Sequence, residues 1–187
     1  MCGSSNRGFT LLEVLIVLAI LGIMGTVVVP NLRGRDPATE RKEFVARLNQ
    51  FMTFAWYNGV VTDKVQKIVF DFEKQVIRLE QQKMEEEKPS QETVYEPVTR
   101  AYTQTTLAWP KRYHVKNFLI EGFDEAVGRK LKKTWIFVVP DGLAQDVVMN
   151  IVDMSDVSQA RKGAPFSLVL NPFTAHFKEY DNFQQTK

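Results

Sequence analysis

The stretch "SSNRGFTLLEVLIVLAILGIMGTVVVPNLRGR", residues 4–35, decides how the rest of the chain is read. From residue 9 to residue 30 it is apolar except for Thr10, Thr26 and a single carboxylate, Glu13. A bilayer core of about 30 Å is crossed by roughly 20 apolar residues in helix, and residues 10–29 supply that length, which predicts a membrane helix. A secretory signal peptide has a shorter apolar region that ends at a small-residue cleavage site. Here the run continues through Val27, Val28 and Val29 to Pro30 without one. A buried globular helix is the other reading, but hydrophobicity on every face over this length fits lipid better than a protein core.

Glu13 stands four residues past Phe9, about 6 Å along the helix, so it is shallow in the bilayer. At that depth a carboxylate can snorkel or take up a proton at less cost than at the midplane, and a solvated interfacial acid is one reading of it. The whole arrangement gives a sharper one. A short polar leader with Arg7, then Gly8, Phe9 and Glu13, then an apolar helix, resembles the prepilin-type signal of type IV pilins and type II secretion pseudopilins. The resemblance implies that a membrane peptidase cuts between Gly8 and Phe9, removing residues 1–8. It further implies N-methylation of Phe9 and an assembly role for Glu13, with Pro30 at the family's usual helix proline. Cleavage would leave a cationic amine on Phe9 at the membrane end of the helix. In a filament, Glu13 of one subunit would pair with that amine on its neighbour, each charge offsetting the desolvation of the other.

Cys2 falls in the leader, and no apolar region precedes it, which excludes a lipoprotein signal. As the one cysteine in the chain it forms neither an intramolecular disulfide nor a cysteine-based zinc site. The flanking charges, Arg7 on one side and Arg33, Arg35, Arg41 and Lys42 on the other, would alone place the large domain in the cytoplasm. The resemblance implies the opposite: a single-pass inner-membrane protein with its globular domain in the periplasm. The 187 residues suffice for one domain with an appendage. A formal net charge of +2 gives no field that favours nucleic acid, and 13 phenylalanines with three tryptophans are ample for a core.

Beyond Pro30, residues 31–59 form the second, amphipathic half of the helix. Phe44, Leu48, Phe51 and Ala55 recur at helical spacing, widened by Val45 and Met52. Thr39 is a candidate cap, Asn58 and Gly59 a candidate end, and Gly34 with Asp36-Pro37 a break or kink. Residues 60–187 then alternate. Strand candidates are "KVQKIVFDF" (64–72), "QVIRLEQ" (75–81), "YHVKNFLIEGF" (113–123), "TWIFVVP" (134–140), "DVVMNIVD" (146–153), "FSLVL" (166–170) and "TAHFKEY" (174–180). Tight turns are expected at Glu73-Lys74-Gln75, Pro140-Asp141-Gly142 and Asn171-Pro172. Residues 81–111, polar and proline-punctuated, are expected to be a long loop with short extended pieces, its Glu85-Glu86-Glu87 run solvated. The class is α+β: a long N-terminal helix, membrane-spanning in its first half, packed against an antiparallel β-rich domain.

The domain pattern is similar to the H-type minor pseudopilin of type II secretion. "TWIFVVPDG" (134–142), "LVLNPFTAHF" (168–177) and "IVFDF" (68–72) carry that likeness. At Ala175 the family commonly has glycine, which keeps a type IV pilus minor pilin open; a membrane-anchored periplasmic binding or enzymatic domain is the further alternative. The H-type resemblance implies a pilin-like fold and a structural subunit of the periplasmic pseudopilus that helps export folded proteins across the outer membrane. Its implied partners are other pseudopilins, major and minor, the prepilin peptidase and the inner-membrane secretion platform. No enzyme is expected, and no cofactor or metal: His114 and His176 occur singly, and neither a Gly-x-Ser-x-Gly motif nor a phosphate-cradling glycine loop is present. Asp153 and Asp156 lack the accompanying oxygen donors of a calcium loop.

Overall fold

The computed structural model describes residues 11–32, 36–83, 93–100, 104–127, 131–155 and 163–185. The chain divides into two units, Met1–Asp36 and Pro37–Lys187. The first contains helix α1, Leu11–Leu32.

The second unit opens with helix α2, Pro37–Thr62. Proline at the first helical position needs no hydrogen-bond acceptor and is preset for helix, so α2 starts two residues ahead of the expected cap at Thr39. The break expected at Asp36-Pro37 is where α2 begins; Gly34 lies outside the described residues. The buried stripe is Phe44, Val45, Leu48, Phe51, Met52 and Ala55, continued by Asn58 and Gly59. The helix does not stop at Gly59, as the sequence suggested. It runs to Thr62 and ends where Asp63 takes a left-handed φ of 52°, with Lys64 N–H donating to Gly59 C=O at 3.3 Å. That is the Schellman closure, made here with aspartate in place of glycine. Gly59 is instead a packing glycine, since a Cβ there would meet Gln66 Cγ at 3.3 Å.

Among the described residues ten strands follow: β1 Gln66–Asp71, β2 Val76–Gln82, β3 Tyr95–Pro97, β4 Thr106–Ala108, β5 Tyr113–Ile120, β6 Phe123–Asp124, β7 Lys133–Val138, β8 Val147–Asp153, β9 Ala164–Asn171 and β10 His176–Tyr180. Every pairing among them is antiparallel. They form two sheets. The first runs β3-β2-β1-β7, with β4 sharing the outer edge of β2; the second runs β10-β9-β8-β5-β6. Each of the seven strand candidates is occupied by a strand of similar bounds, but "YHVKNFLIEGF" is a hairpin, turning at Glu121 (φ 49°) and Gly122 (φ 85°). Within the expected loop at 81–111, β3 and β4 each pair with β2. Glu85, Glu86 and Glu87 lie outside the described residues.

One core fills the space between α2 and the inner faces of both sheets, joining Leu48 and Met52 to Ile68, Phe70, Ile77 and Ile136 of the first sheet and Phe118, Met149, Phe166 and Leu168 of the second. The Phe70 and Phe118 rings meet edge to face across the sheets at 5.3 Å, and Phe44 of α2 packs edge-on against Trp109 at 5.5 Å, geometry that suits the ring quadrupoles. Strand β8 is buried along its whole length. Its outer face is covered by the C-terminal segment, where Asn150 Nδ2 donates to Gln184 C=O at 3.0 Å and Ser167 Oγ lies 2.9 Å from Asn182 C=O.

Candidate assembly surface

On α1, every large apolar side chain from Leu11 to Ile23 is exposed, with Val17 the least so at 47% and Leu11 the most at 81%. Burying each such side chain is worth about 1.5–3 kcal/mol, so this helix gains from any apolar surrounding that covers all its faces, lipid or other helices alike. Among the described residues no helix is long and apolar enough to cross a membrane; helix geometry itself extends over Leu11–Leu32. Glu13 sits in the first turn of α1, where a carboxylate suits the positive end of the helix dipole. Gly8 and Phe9 lie outside the described residues, and so does the amine that Glu13 is expected to meet.

In the second unit, two arginines hold the start of α2 to the strands. Arg112 pairs with Glu40 and with Asp153, the latter at 3.4 Å. It also donates to Pro37 C=O at 3.2 Å and to the Tyr113 hydroxyl at 2.9 Å. Burial works against its charge, but the Tyr113 hydroxyl and the two carboxylates outweigh burial and raise the guanidinium above its ordinary value. Tyr113 is pushed up chiefly by burial, against the opposing pull of Arg112. Arg41 pairs with Glu179 at 2.6 Å and Asp181 at 3.3 Å, so this arginine, counted above among the flanking charges, is committed inside the domain.

The remaining candidates are dispersed. Asp153 already faces Arg112 and accepts from Ser155 N–H at 2.9 Å, which leaves it poorly placed to ligate a cation; Asp156 lies outside the described residues. His114 is exposed on β5. His176 is an exposed strand residue whose Nδ1 lies 2.7 Å from Thr174 C=O. A cleft of about 670 Å³ beside the C-terminal segment is lined by Glu121, Asp146, Asn117, Asn150 and Gln184, acceptors and amides without a nucleophile beside a base. Sequence reasoning missed Arg112 and Asn49, whose partners lie far along the chain. It also missed the edge of β7, for which the exposed Trp135 in "TWIFVV" was the available signal.

Comparison with known proteins locates the likeness at the N-terminus. Residues 3–29 match the family described as the prokaryotic N-terminal methylation motif, in agreement with the signal inferred from Gly8, Phe9 and Glu13. The chain is 48% identical over 42 residues to the type II secretion system core protein G of Klebsiella michiganensis, a stretch that covers 22% of this chain and 30% of that one. Over 41 residues it is 42% identical to the core protein G of Escherichia coli (strain K12), 22% of this chain and 28% of the other. It is 49% identical over 41 residues to that of Aeromonas hydrophila, 22% and 29%. The chain thus spans less than a third of the length of these relatives. Among solved structures, the minor pseudopilin EpsH from the type 2 secretion system of Vibrio cholerae aligns with a TM-score of 0.48 and 7% identity, over 75% of this chain and 95% of that one.

Proposed function

We propose, from the N-terminal methylation motif at residues 3–29, that this chain is a minor pseudopilin: a structural, non-catalytic subunit of the periplasmic pseudopilus of a type II secretion system. The observation that carries the proposal is the continuity of that motif with α1, whose described apolar side chains are exposed on every face. Such a helix is suited first to a bilayer and then to a bundle of its own kind. The α2-centred antiparallel domain that follows is in keeping with the H-type likeness of residues 134–142 and 168–177, and the short N-terminal identity to core protein G supports the secretion branch over the pilus branch.

In this reading the inner-membrane peptidase cuts between Gly8 and Phe9 and methylates the Phe9 amine. The first half of the helix spans the inner membrane, the globular unit stands in the periplasm, and Glu13 pairs with the Phe9 amine of an adjoining subunit as the filament grows on the secretion platform. In the assembled filament each of the two charges offsets the desolvation of the other. Intact-mass measurement of the chain purified from its native envelope tests the first step. The expected species lacks residues 1–8 and carries one methyl group on Phe9. A chain recovered with Met1 to Gly8 attached overturns the proposal.

A further inference from the structure

The sheets have guarded and unguarded edges. On β7 the guard is Gln145, whose Oε1 accepts from Phe137 N–H at 2.9 Å and whose N–H donates to Phe137 C=O at 3.3 Å. One step further, Val139 N–H donates to Leu143 C=O at 2.8 Å. Phe137 therefore turns both its backbone groups away from β1. In an antiparallel ladder alternate residues point the same way, so Trp135 and Lys133, paired in register with Val69 and Asp71, present their N–H and C=O groups to the open side as well. Among the described residues none bonds to these groups.

The side chains along this edge share one sign. Lys133 is exposed and Trp135 is 44% exposed, while Lys67 Nζ lies 4.6 Å above the Trp135 ring and 4.8 Å above that of Tyr95. Of the nearby carboxylates, Asp71 pairs with Arg78 at 3.6 Å and Glu73 with Lys132 at 3.1 Å, while Glu80, opposite Lys67 in register, makes no ion pair with it among the described residues. Among the described residues no carboxylate pairs with Lys67 or Lys133. An unpaired row of backbone donors and acceptors is a template for one more strand, and its uncompensated lysines select the charge that the strand carries.

We propose that the edge of β7 at Lys133 and Trp135 receives an extended, acidic segment of a partner protein as an added strand, with a carboxylate beside Lys133 and an apolar residue beside Trp135. This docking edge belongs to the β-rich unit alone and stands whether or not the chain works in a filament.

The test uses the full chain in detergent micelles and a capped peptide that alternates threonine with valine and glutamate, read by hydrogen exchange. The peptide should slow exchange over residues 133–135 saturably, and replacing its glutamate with lysine should weaken it about tenfold or more. A version N-methylated at alternate amides keeps the side chains but cannot pair, and should leave exchange unchanged. Lys133→Pro removes an N–H that the sheet does not use, at the first position of the strand where proline is tolerated. It should abolish the effect, while Lys133→Thr should keep the backbone pairing and lose only the charge preference. Equal binding by the N-methylated peptide, equal binding by Lys133→Pro, or no slowing by the acidic peptide at millimolar concentration overturns the proposal.

Discussion

The side-chain amide of Asn49 closes the edge of β10 at a single residue, Phe177: Asn49 Nδ2 donates to Phe177 C=O at 3.0 Å, and Phe177 N–H donates to Asn49 Oδ1 at 2.7 Å. An amide offers the donor and acceptor pair that a neighbouring strand would offer, so α2 ends the second sheet as though it were one residue of a further strand. Edge strands left open pair with other chains, and β10 is kept from doing so by a residue 128 positions away.

Replacing that amide should therefore both weaken the fold and open the edge. Asn49→Ala leaves two backbone groups beneath α2 without partners, and about 1–3 kcal/mol of stability should be lost. The three tryptophans all fall in the β-rich unit, so denaturant unfolding followed by their fluorescence reads this loss as a lower midpoint at unchanged slope. Faster amide exchange at Phe177 should accompany it; a midpoint equal to that of the parent chain refutes the role given to Asn49.

Ala175, where a glycine is expected from the family resemblance, holds a left-handed φ of 51° and is wholly buried in the core. Two effects then oppose each other in Ala175→Gly. Relief of the left-handed strain is worth about 1–2 kcal/mol. The lost methyl costs about 0.8 kcal/mol, and the greater freedom of glycine in the unfolded chain about 0.5–1 kcal/mol more. The predicted change is within about 1 kcal/mol of zero. Ala175→Val adds a β-branch to the same conformation in a filled site, and should cost at least about 2 kcal/mol.

Gly142 ends the Pro140-Asp141-Gly142 turn, with its N–H donating to Val139 C=O at 3.0 Å and a φ of 80°. Its carbonyl accepts from Trp56 Nε1 at 2.7 Å, and a Cβ at this position would meet that same nitrogen at 3.0 Å. Gly142→Ala should therefore lose both the backbone conformation and the indole bond, about 2 kcal/mol together, with tryptophan emission shifted to the red. Trp56→Phe removes the same bond, so the double variant should be less destabilised than the sum of the two single ones.

Asp124 gives the domain one pH-dependent contribution. Burial acts to raise its carboxyl, but donors from Asn117 at 2.6 Å, Phe118 N–H at 3.0 Å and Ala126 N–H at 2.9 Å outweigh burial and hold it below the usual value. A carboxylate lowered in the folded state stabilises above its unfolded value, about 3.9, and that contribution disappears as pH falls through the folded value. Asp124→Asn should melt below the parent chain at pH 7, and the gap should close as the pH falls below the unfolded value and through the lower folded one. A gap that stays constant across that range refutes the assignment.

What was legible in the sequence had a local cause. The α2 stripe from Phe44 to Ala55 and the alternation in β2 and β7 are patterns within single elements, set by the 3.6 and 2.0 residue periods. The early stop assigned to Gly59 failed because that glycine packs against Gln66 while the capping work passes to Asp63. β3 and β4 are too short and polar to carry a period, and depend on β2 for their backbone partners. The division of the strands into two sheets follows from register, which the hydrophobic pattern alone does not specify. In the candidate site, Gly8, Phe9 and Glu13 were legible as a linear motif, whereas the Arg112–Glu40 pair and the Asn49 guard of β10 join residues that only the fold brings together.

Glu13 carries the most direct test of assembly. It is the one charge in α1, and in the proposed filament its worth comes from the Phe9 amine of a neighbour. Glu13→Ala removes the acid without touching the bond between Gly8 and Phe9, so processing should proceed, and the mature mass should fall only by the side-chain difference. Incorporation into filaments should drop severely, because each variant subunit leaves a neighbouring amine uncompensated near lipid. Glu13→Gln should behave in the same way, since it keeps the volume and a hydrogen-bonding group but not the charge, whereas Glu13→Asp should retain part of the effect. Quantitative immunoblotting of sheared filament fractions measures incorporation directly. Normal incorporation of Glu13→Gln would show that polarity rather than charge is what the helix supplies.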